Sequence, residues 1–219
     1  MNRLGLIALT AVGVFALYKL SYPTYSCRYR ITVNVEVDGQ MRSGSSVIEF
    51  SATKQMRFLP DVIPIRFDAE GEAVFVDLGG QRSLVALLQA GEYGQDGEFP
   101  VRLVPKHFRW QNTENQFASL PKLRGKWELP SNELPTLVTF ADANNSATLR
   151  VVRPDQLEQV FGPGVRLGGV VIEMTTDAVT RGLEARLPFL VSQRGALRSA
   201  NQNPHRFIPS YDAFLRSSR

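Results

Sequence analysis

The fold is decided by residues 27–37, Cys-Arg-Tyr-Arg-Ile-Thr-Val-Asn-Val-Glu-Val, and by the Asp38-Gly39 dipeptide that follows them. Apolar and polar side chains alternate along this stretch, which is the period-two pattern of a strand with one buried face. Asp-Gly accepts the positive φ angles of a type I′ turn. Residues 41–50, MRSGSSVIEF, are therefore expected to return as the second strand of a hairpin.

Similar patterns predict further strands. Residues 73–77 and 83–88 flank Gly79-Gly80 and indicate a second hairpin, although the continuous apolar run at 83–88 also fits a short helix. Residues 101–104 are expected to form a strand that Pro105 ends. More strands are predicted from β-favouring composition at residues 136–140, 147–152 and 168–175.

Short helices are predicted in the last third of the chain. Residues 154–161 begin with proline and stop before Gly162, and residues 180–190 are expected to form a helix ended by Pro188. After Pro204 or Pro209, apolar residues recur at helical spacing and indicate a terminal amphipathic helix. These apolar residues are Phe207, Ile208, Tyr211, Phe214 and Leu215.

An apolar run precedes all of these elements. From Leu4 to Leu20 the sequence LGLIALTAVGVFALYKL carries no charge before Lys19, and a helix of this length covers about 25 Å, the short end of what crosses a bilayer. Three interpretations stay open: a retained signal anchor, a cleaved secretory signal, and a lipoprotein acylated at Cys27. The absence of an A-x-A exit and the bulky residues before Cys27 favour the retained anchor.

The predicted organisation is therefore a signal anchor at residues 1–26, a β-rich domain at 27–190 and a basic C-terminal tail at 191–219 with the amphipathic helix. The fold class is α+β and β-rich, with antiparallel hairpins and few short helices, preceded by one N-terminal transmembrane helix. Lys19, Arg28 and Arg30 follow the span, which by the positive-inside rule favours a cytoplasmic domain. Long domains translocate largely regardless of charge, so we expect an extracytoplasmic one.

Basic charge is concentrated near the C-terminus. The whole chain carries a formal net charge of +4, whereas residues 181–219 contain seven arginines against two acids. Such a segment fits a helix docked on the domain with solvated arginines, or a basic arm that contacts a membrane surface or a protein partner. Nucleic acid is not expected, because no binding module is recognisable. The candidate contact residues are Arg194, Arg198, Arg206 and Arg216.

The sequence offers little material for catalysis or metal binding. One cysteine and two histidines in 219 residues exclude a disulfide framework and a zinc site of several thiolates. No G-x-S-x-G, Walker or G-x-G-x-x-G motif occurs, so no catalytic, cofactor-binding or metal-binding residue is predicted. The rival hypothesis is a membrane-tethered hydrolase that uses Ser45 or Ser46 with His107 or His205.

Several stretches resemble a family of uncharacterised proteobacterial membrane-anchored proteins. They are RYRITVNVEVDGQMRSGSSVIEF at 28–50, LPTLVTF at 134–140, and VRPDQLEQVFGPGVRLGGVVIEMTTDAVTRGLEARLPFL at 152–190. The resemblance implies a Gram-negative origin and a domain that faces the envelope. It implies no activity, cofactor or catalytic residue.

The expected function is that of a non-catalytic envelope protein at the bacterial inner membrane, with its domain in the periplasm. It would contact the bilayer through its N-terminal helix and act as a binding protein or as an accessory subunit of a membrane complex. A third hypothesis is a small-ligand domain whose cavity is lined by Phe108, Trp110 and Trp127.

Overall fold

The computed structural model describes residues 12–13, 21–55, 65–110, 114–199 and 209–217. The strands are β1 (Thr24–Val37), β2 (Gln40–Lys54), β3 (Ile65–Glu72), β4 (Val74–Gly79), β5 (Arg82–Ala90), β6 (Lys126–Glu128), β7 (Pro135–Phe140), β8 (Leu149–Val152), β9 (Val165–Thr175) and β10 (Leu215–Arg216). The α-helices are α1 (Phe99–His107), α2 (Glu114–Phe117), α3 (Leu157–Phe161), α4 (Leu183–Arg186), α5 (Phe189–Ser192), α6 (Arg194–Ser199) and α7 (Tyr211–Phe214). Short 3₁₀ turns occur at Leu120–Lys122, Ser131–Glu133, Ser146–Thr148 and Pro154–Gln156. The prediction of a β-rich chain with few short helices is confirmed.

The predicted hairpin forms the centre of the larger sheet, whose strand order is β10-β3-β2-β1-β9-β6. β1 and β2 pair antiparallel from Val37 opposite Gln40 to Thr24 opposite Thr53. Asp38 and Gly39 have φ angles of 51° and 77°, as a type I′ turn requires. Burial alternates along β1, so one face of the sheet is apolar and packs inward.

A smaller antiparallel sheet, in the order β4-β5-β7-β8, lies between the larger sheet and the C-terminal helices. The side chains of Leu84 and Ala86 on β5 pack toward the larger sheet, whereas those of Val85 and Leu87 pack toward the helices. A strand buried on both faces has a continuous apolar sequence instead of an alternating one. This double burial explains why residues 83–88 fitted either a strand or a helix, and the structure shows the strand.

Aromatic side chains fill both cores. Between the sheets, the Trp110 ring contacts the rings of Phe50, Phe67 and Phe117, with centroids 6.0, 5.9 and 5.7 Å away. Beneath the C-terminal helices, Phe140, Phe189 and Phe214 form a second aromatic cluster. Such contacts stabilise the core beyond the burial of their area.

The strand prediction for residues 101–104 is wrong, because these residues belong to α1. Pro100 lies in the first turn, where proline costs no helical hydrogen bond, and Phe99, Leu103 and Val104 recur at helical spacing on the buried face. Pro105 lies inside the helix, which nevertheless continues to His107. Helical periodicity therefore prevailed over the β-favouring composition of this short segment.

The C-terminal helix predictions are corrected in part. Tyr211 begins a helix of one turn, α7, but Leu215 leaves it and pairs with Glu72 on β3. Phe207 and Ile208 lie outside the described residues. The helix predicted at 180–190 is divided into α4 and α5, and Pro188 precedes α5 as its N-cap. Both short helices pack their apolar side chains on the smaller sheet.

The predicted anchor from Leu4 to Leu20 lies outside the described residues, apart from positions 12–13. Within the described part of the chain, no helix combines the length and apolar character needed to cross a membrane.

Candidate functional site

A polar groove of about 480 Å³ opens where β2 passes β4, and we call it the β2–β4 groove. One wall carries Ser43 and Ser45 of β2, and the other carries Phe75 and Asp77 of β4. Residues 180–183, which lead into α4, close one end. The groove therefore joins both sheets and the helical layer.

The closeness of the two strands depends on Gly44. A Cβ atom on Gly44 would lie 2.1 Å from the carbonyl oxygen of Phe75, so no larger residue fits without moving β4. Farther along β2, the Val47 N–H donates to the Thr180 hydroxyl at 2.8 Å, and the Thr180 N–H donates to the Val47 carbonyl at 3.1 Å. Beyond Glu49, where the pairing of β2 with β3 ends, Thr180 takes the place of β3 beside β2. Thr180 also lines the groove.

Charged side chains of both signs face the groove. The Arg186 guanidinium lies 5.0 Å from the centroid of the Phe75 ring and forms no ion pair with the described residues. Arg181 pairs with Glu70, which neutralises it. The buried Glu72 carboxylate accepts the backbone N–H groups of Gly182 at 3.0 Å and Leu183 at 2.8 Å.

Arg186 is thus the groove cation that remains available for a ligand. Asp77 accepts the Gly79 N–H at 2.8 Å, the Ser43 hydroxyl donates to Asn34 Oδ1 at 2.7 Å, and the Ser45 hydroxyl adds a neutral donor and acceptor. Of the described residues that line the groove, none is histidine, cysteine or lysine. Groups of this kind can bind a polar or ionic segment by hydrogen bonds and a charge-assisted contact.

The structure does not bring the serines of the rival hydrolase hypothesis together with His107. Ser45 is exposed, whereas Ser46 points into the interior from the next position on β2. Within the described residues, the Ser46 hydroxyl has no hydrogen-bond partner and Ser45 forms no hydrogen bond to His107. His205 lies outside the described residues. A general base must reach its nucleophile, and no described contact joins either serine to His107, so the hydrolase hypothesis stays a prediction.

His107 belongs to a structural cluster at the end of α1. Its side chain is only 5% exposed, its Nε2 atom lies 2.9 Å from a carboxylate oxygen of Glu133, and its ring lies against Trp127 at 5.4 Å. Lys106 Nζ lies 2.8 Å from the other oxygen of Glu133. Burial lowers the pKa of His107 although Glu133 opposes that shift, and the Lys106 hydrogen bond lowers the pKa of Glu133. The cluster ties α1 to the Ser131–Glu133 turn.

The aromatic residues predicted to line a ligand cavity, Phe108, Trp110 and Trp127, pack against other side chains of the domain. Trp110 is 3% exposed and sits within the aromatic core, with its indole N–H donating to the Gln116 carbonyl at 2.8 Å. Trp127 covers His107 at the sheet edge and is 48% exposed. Phe108 is half-buried and packs against the core between the sheets. All three side chains therefore take part in packing contacts, and the ligand-cavity hypothesis stays a prediction.

Two of the four predicted arginine contacts, Arg194 and Arg216, have described side chains. Arg194 stacks on the Tyr211 ring at 4.6 Å and lies 3.5 Å from Glu184, with about half of its side chain exposed. Arg216, on β10, borders a second cavity of about 690 Å³ together with Arg66 and Tyr211. Its Nη1 atom is buried and has no hydrogen-bond partner in the described part of the chain. Arg206 and the side chain of Arg198 lie outside the described residues.

Sequence reasoning missed a second basic segment at Lys122, Arg124 and Lys126. All three side chains are exposed; Lys122 ends the 3₁₀ turn at Leu120–Lys122, and Arg124 and Lys126 follow it. The run KLRGKW already contains three cations in five positions, but a sum over the whole chain conceals them because acidic residues elsewhere offset their charge. A local charge count along the whole chain would have found it.

The described residues contain no group of three or more metal-ligating side chains that could hold an ion. The resemblance to proteobacterial membrane-anchored proteins stays a prediction. Comparison with family models, curated proteins and solved structures finds no match to this chain.

Proposed function

We propose that this chain is a single-pass protein of the bacterial inner membrane whose β-rich domain binds a partner without catalysis. The segment from Leu4 to Leu20 is the anchor, and the domain lies on the periplasmic side. It acts as an envelope binding protein or as an accessory subunit of a membrane complex.

The observation that carries this proposal is the short connection between the apolar run and the central hairpin. β1 begins at Thr24, four residues after Leu20. Four residues span at most about 14 Å, even when fully extended. Because β1 is an interior strand of the larger sheet, an anchor at Leu4 to Leu20 would hold the whole domain at the bilayer surface.

The β2–β4 groove is the proposed place for the partner. It offers an unneutralised guanidinium at Arg186, the Ser45 hydroxyl and the edge strand β4, whose outer backbone groups face away from β5. An edge strand can pair with an extended segment of another protein, and side-chain contacts then provide specificity. This chemistry suits recognition of a polar segment with an acidic residue opposite Arg186.

Two measurements on native membranes test the proposal. Alkaline carbonate washing separates integral from peripheral proteins, and we expect the chain to stay in the pellet with the mass of its uncleaved form. Gentle detergent extraction, size separation and mass spectrometry should then show the chain in an assembly with other proteins. A chain released by carbonate contradicts the anchor, and a chain that migrates alone contradicts the binding role.

A charge reversal in the groove tests its part in binding. Arg186→Glu should release the partner, because the guanidinium that faces the groove becomes a carboxylate. Arg150→Glu is the matched control, since Arg150 is an exposed arginine on β8 without an ion pair to the described residues. Equal loss of the partner in both variants, or in neither, contradicts the assignment to the groove.

A further inference from the structure

The end of the larger sheet at which β1 begins, here called the Thr24 end, carries a set of basic side chains. Thr24 on β1 pairs with Thr53 on β2, which pairs with Arg66 on β3. The Lys54 N–H donates to the Pro23 carbonyl at 3.1 Å. Lys54 and Arg66 therefore lie on one side of this end, beside the point at which the chain leaves for Leu4 to Leu20.

Lys122 and Arg124 lie on the other side of the Thr24 end. The Met174 N–H donates to the Gly125 carbonyl, and Met174 pairs with Tyr29, so the chain before Gly125 runs toward Thr24. Phe117, just before the 3₁₀ turn, packs against Tyr25 with ring centroids 6.3 Å apart. These contacts fix the turn at the end of β1.

Lys122 and Arg124 are exposed and have no carboxylate partner among the described residues. Arg124 Nη1 donates to the backbone carbonyls of Pro121 at 3.2 Å and Leu123 at 2.6 Å, which holds its charge at the turn. On the opposite side, Arg66 lies 3.0 Å from Asp68, so its charge is partly compensated. The positive charges of Lys122 and Arg124 are therefore not compensated by any described carboxylate.

We propose that the Thr24 end of the domain binds the head groups of anionic phospholipids, with Lys122 and Arg124 as the main contacts. This proposal rests on the proposed anchor, which holds this end within about 14 Å of the apolar run. Basic side chains close to an anionic leaflet are attracted to it, and the attraction weakens with ionic strength.

The proposal gives the domain a defined orientation. Ser43, in the β2–β4 groove, pairs with Asn34, ten residues along β1 from Thr24. Ten residues of a strand cover about 33 Å. Contact at the Thr24 end therefore holds the groove roughly 30 Å above the membrane, where a soluble segment of a partner can reach it.

Energy transfer to labelled lipid head groups measures this orientation in the full chain. A fluorophore at Gln55→Cys reports on the Thr24 end, and one at Gln40→Cys reports on the opposite end beside the hairpin turn, since both glutamines are exposed. The native Cys27 is buried and escapes labelling. The chain is reconstituted in bilayers of phosphatidylcholine alone or mixed with phosphatidylglycerol.

We expect higher transfer at position 55 than at position 40, and a further rise at position 55 when phosphatidylglycerol is present. The double variant Lys122→Glu and Arg124→Glu should abolish this rise, because each basic residue lost lowers the docking equilibrium about fivefold. The control pair Arg150→Glu and Arg166→Glu changes exposed arginines away from the Thr24 end and should preserve it.

A transfer efficiency at position 55 that does not depend on phosphatidylglycerol overturns the proposal, as does equal loss of the rise in both double variants. Carbonate washing of the same proteoliposomes separates this failure from a failure of the anchor. A chain that stays in the pellet without lipid-dependent transfer is anchored but does not use its Thr24 end. A chain that is washed off refutes the anchor itself.

Discussion

Replacing Gly44 by alanine should destabilise the protein by about 3 kcal/mol, because the added methyl group has no room. An ideal Cβ at this position lies 2.1 Å from the carbonyl oxygen of Phe75 and 2.8 Å from its carbonyl carbon, against 3.4 Å for an ordinary contact. β4 would therefore have to move by more than 1 Å away from β2. Overpacking that side chains can absorb costs about 1–3 kcal/mol, and an obstacle made of backbone belongs at the upper end.

Two other glycines provide matched controls for the same substitution. A Cβ on Gly195 in α6 meets no atom within 4 Å, and one on Gly168 meets the flexible end of Met41 at 3.1 Å and the Asn34 Cβ at an ordinary 3.4 Å. We expect Gly195→Ala to be neutral or stabilising by up to about 1 kcal/mol, with Gly168→Ala between the extremes. Urea unfolding of the full chain in detergent, followed by the fluorescence of buried Trp110, gives the three free energies of unfolding. Equal values for Gly44→Ala and Gly195→Ala would refute the reasoning.

Three further predictions concern buried polar groups. Glu72→Gln should lower the free energy of unfolding by about 1–3 kcal/mol, because one amide oxygen cannot replace the two carboxylate oxygens that accept the N–H groups of Gly182 and Leu183. Glu128→Gln, on the exposed strand β6, should change the free energy of unfolding little. Burial lowers the pKa of His107 from its ordinary 6.5, so the unfolded chain takes up this proton at a higher pH than the folded chain does, and the free energy of unfolding should fall as the pH drops below about 6.5. In urea titrations between pH 8 and 5.5, His107→Gln should make the free energy of unfolding depend less on pH. An unchanged pH dependence in this variant would contradict the prediction. Burial, aided by Glu49, raises the pKa of the Cys27 thiol to about 12, so a thiol reagent at pH 7 should modify it only after denaturation; rapid modification of the native chain would contradict its burial.

The local patterns in the sequence predicted the hairpins well. Alternation along residues 27–37 and the Asp38-Gly39 turn identify β1 and β2 because a two-residue turn and a half-buried face are both local properties. Residues 83–88 were ambiguous because the second face of β5 is covered by helices that follow about 100 residues later in the chain. No local pattern reports such a distant contact.

The site was less predictable than the fold. The β2–β4 groove is lined by Ser43, Phe75 and Arg186, which lie far apart in the sequence. They meet only because β2 passes β4 next to α4. The predicted strand at 101–104 failed because four residues are too few to separate a period of two from a period of 3.6. The basic turn at Lys122 could have been found by charge counting, but its place beside Thr24 required the strand register.

The pairing of β1 with β9 also orders events during synthesis. β2 follows β1 at once along the chain, whereas β9 begins about 130 residues after β1 ends. A ribosome that has made the first hairpin therefore leaves one side of β1 without a neighbour for most of the remaining translation. Exposed strand edges with an apolar face invite association with other chains, and pairings across long loops form slowly. Chains that stall before Val165 should accordingly be substrates for chaperones or proteases. The larger sheet can be completed only when nearly all of the sequence has been made.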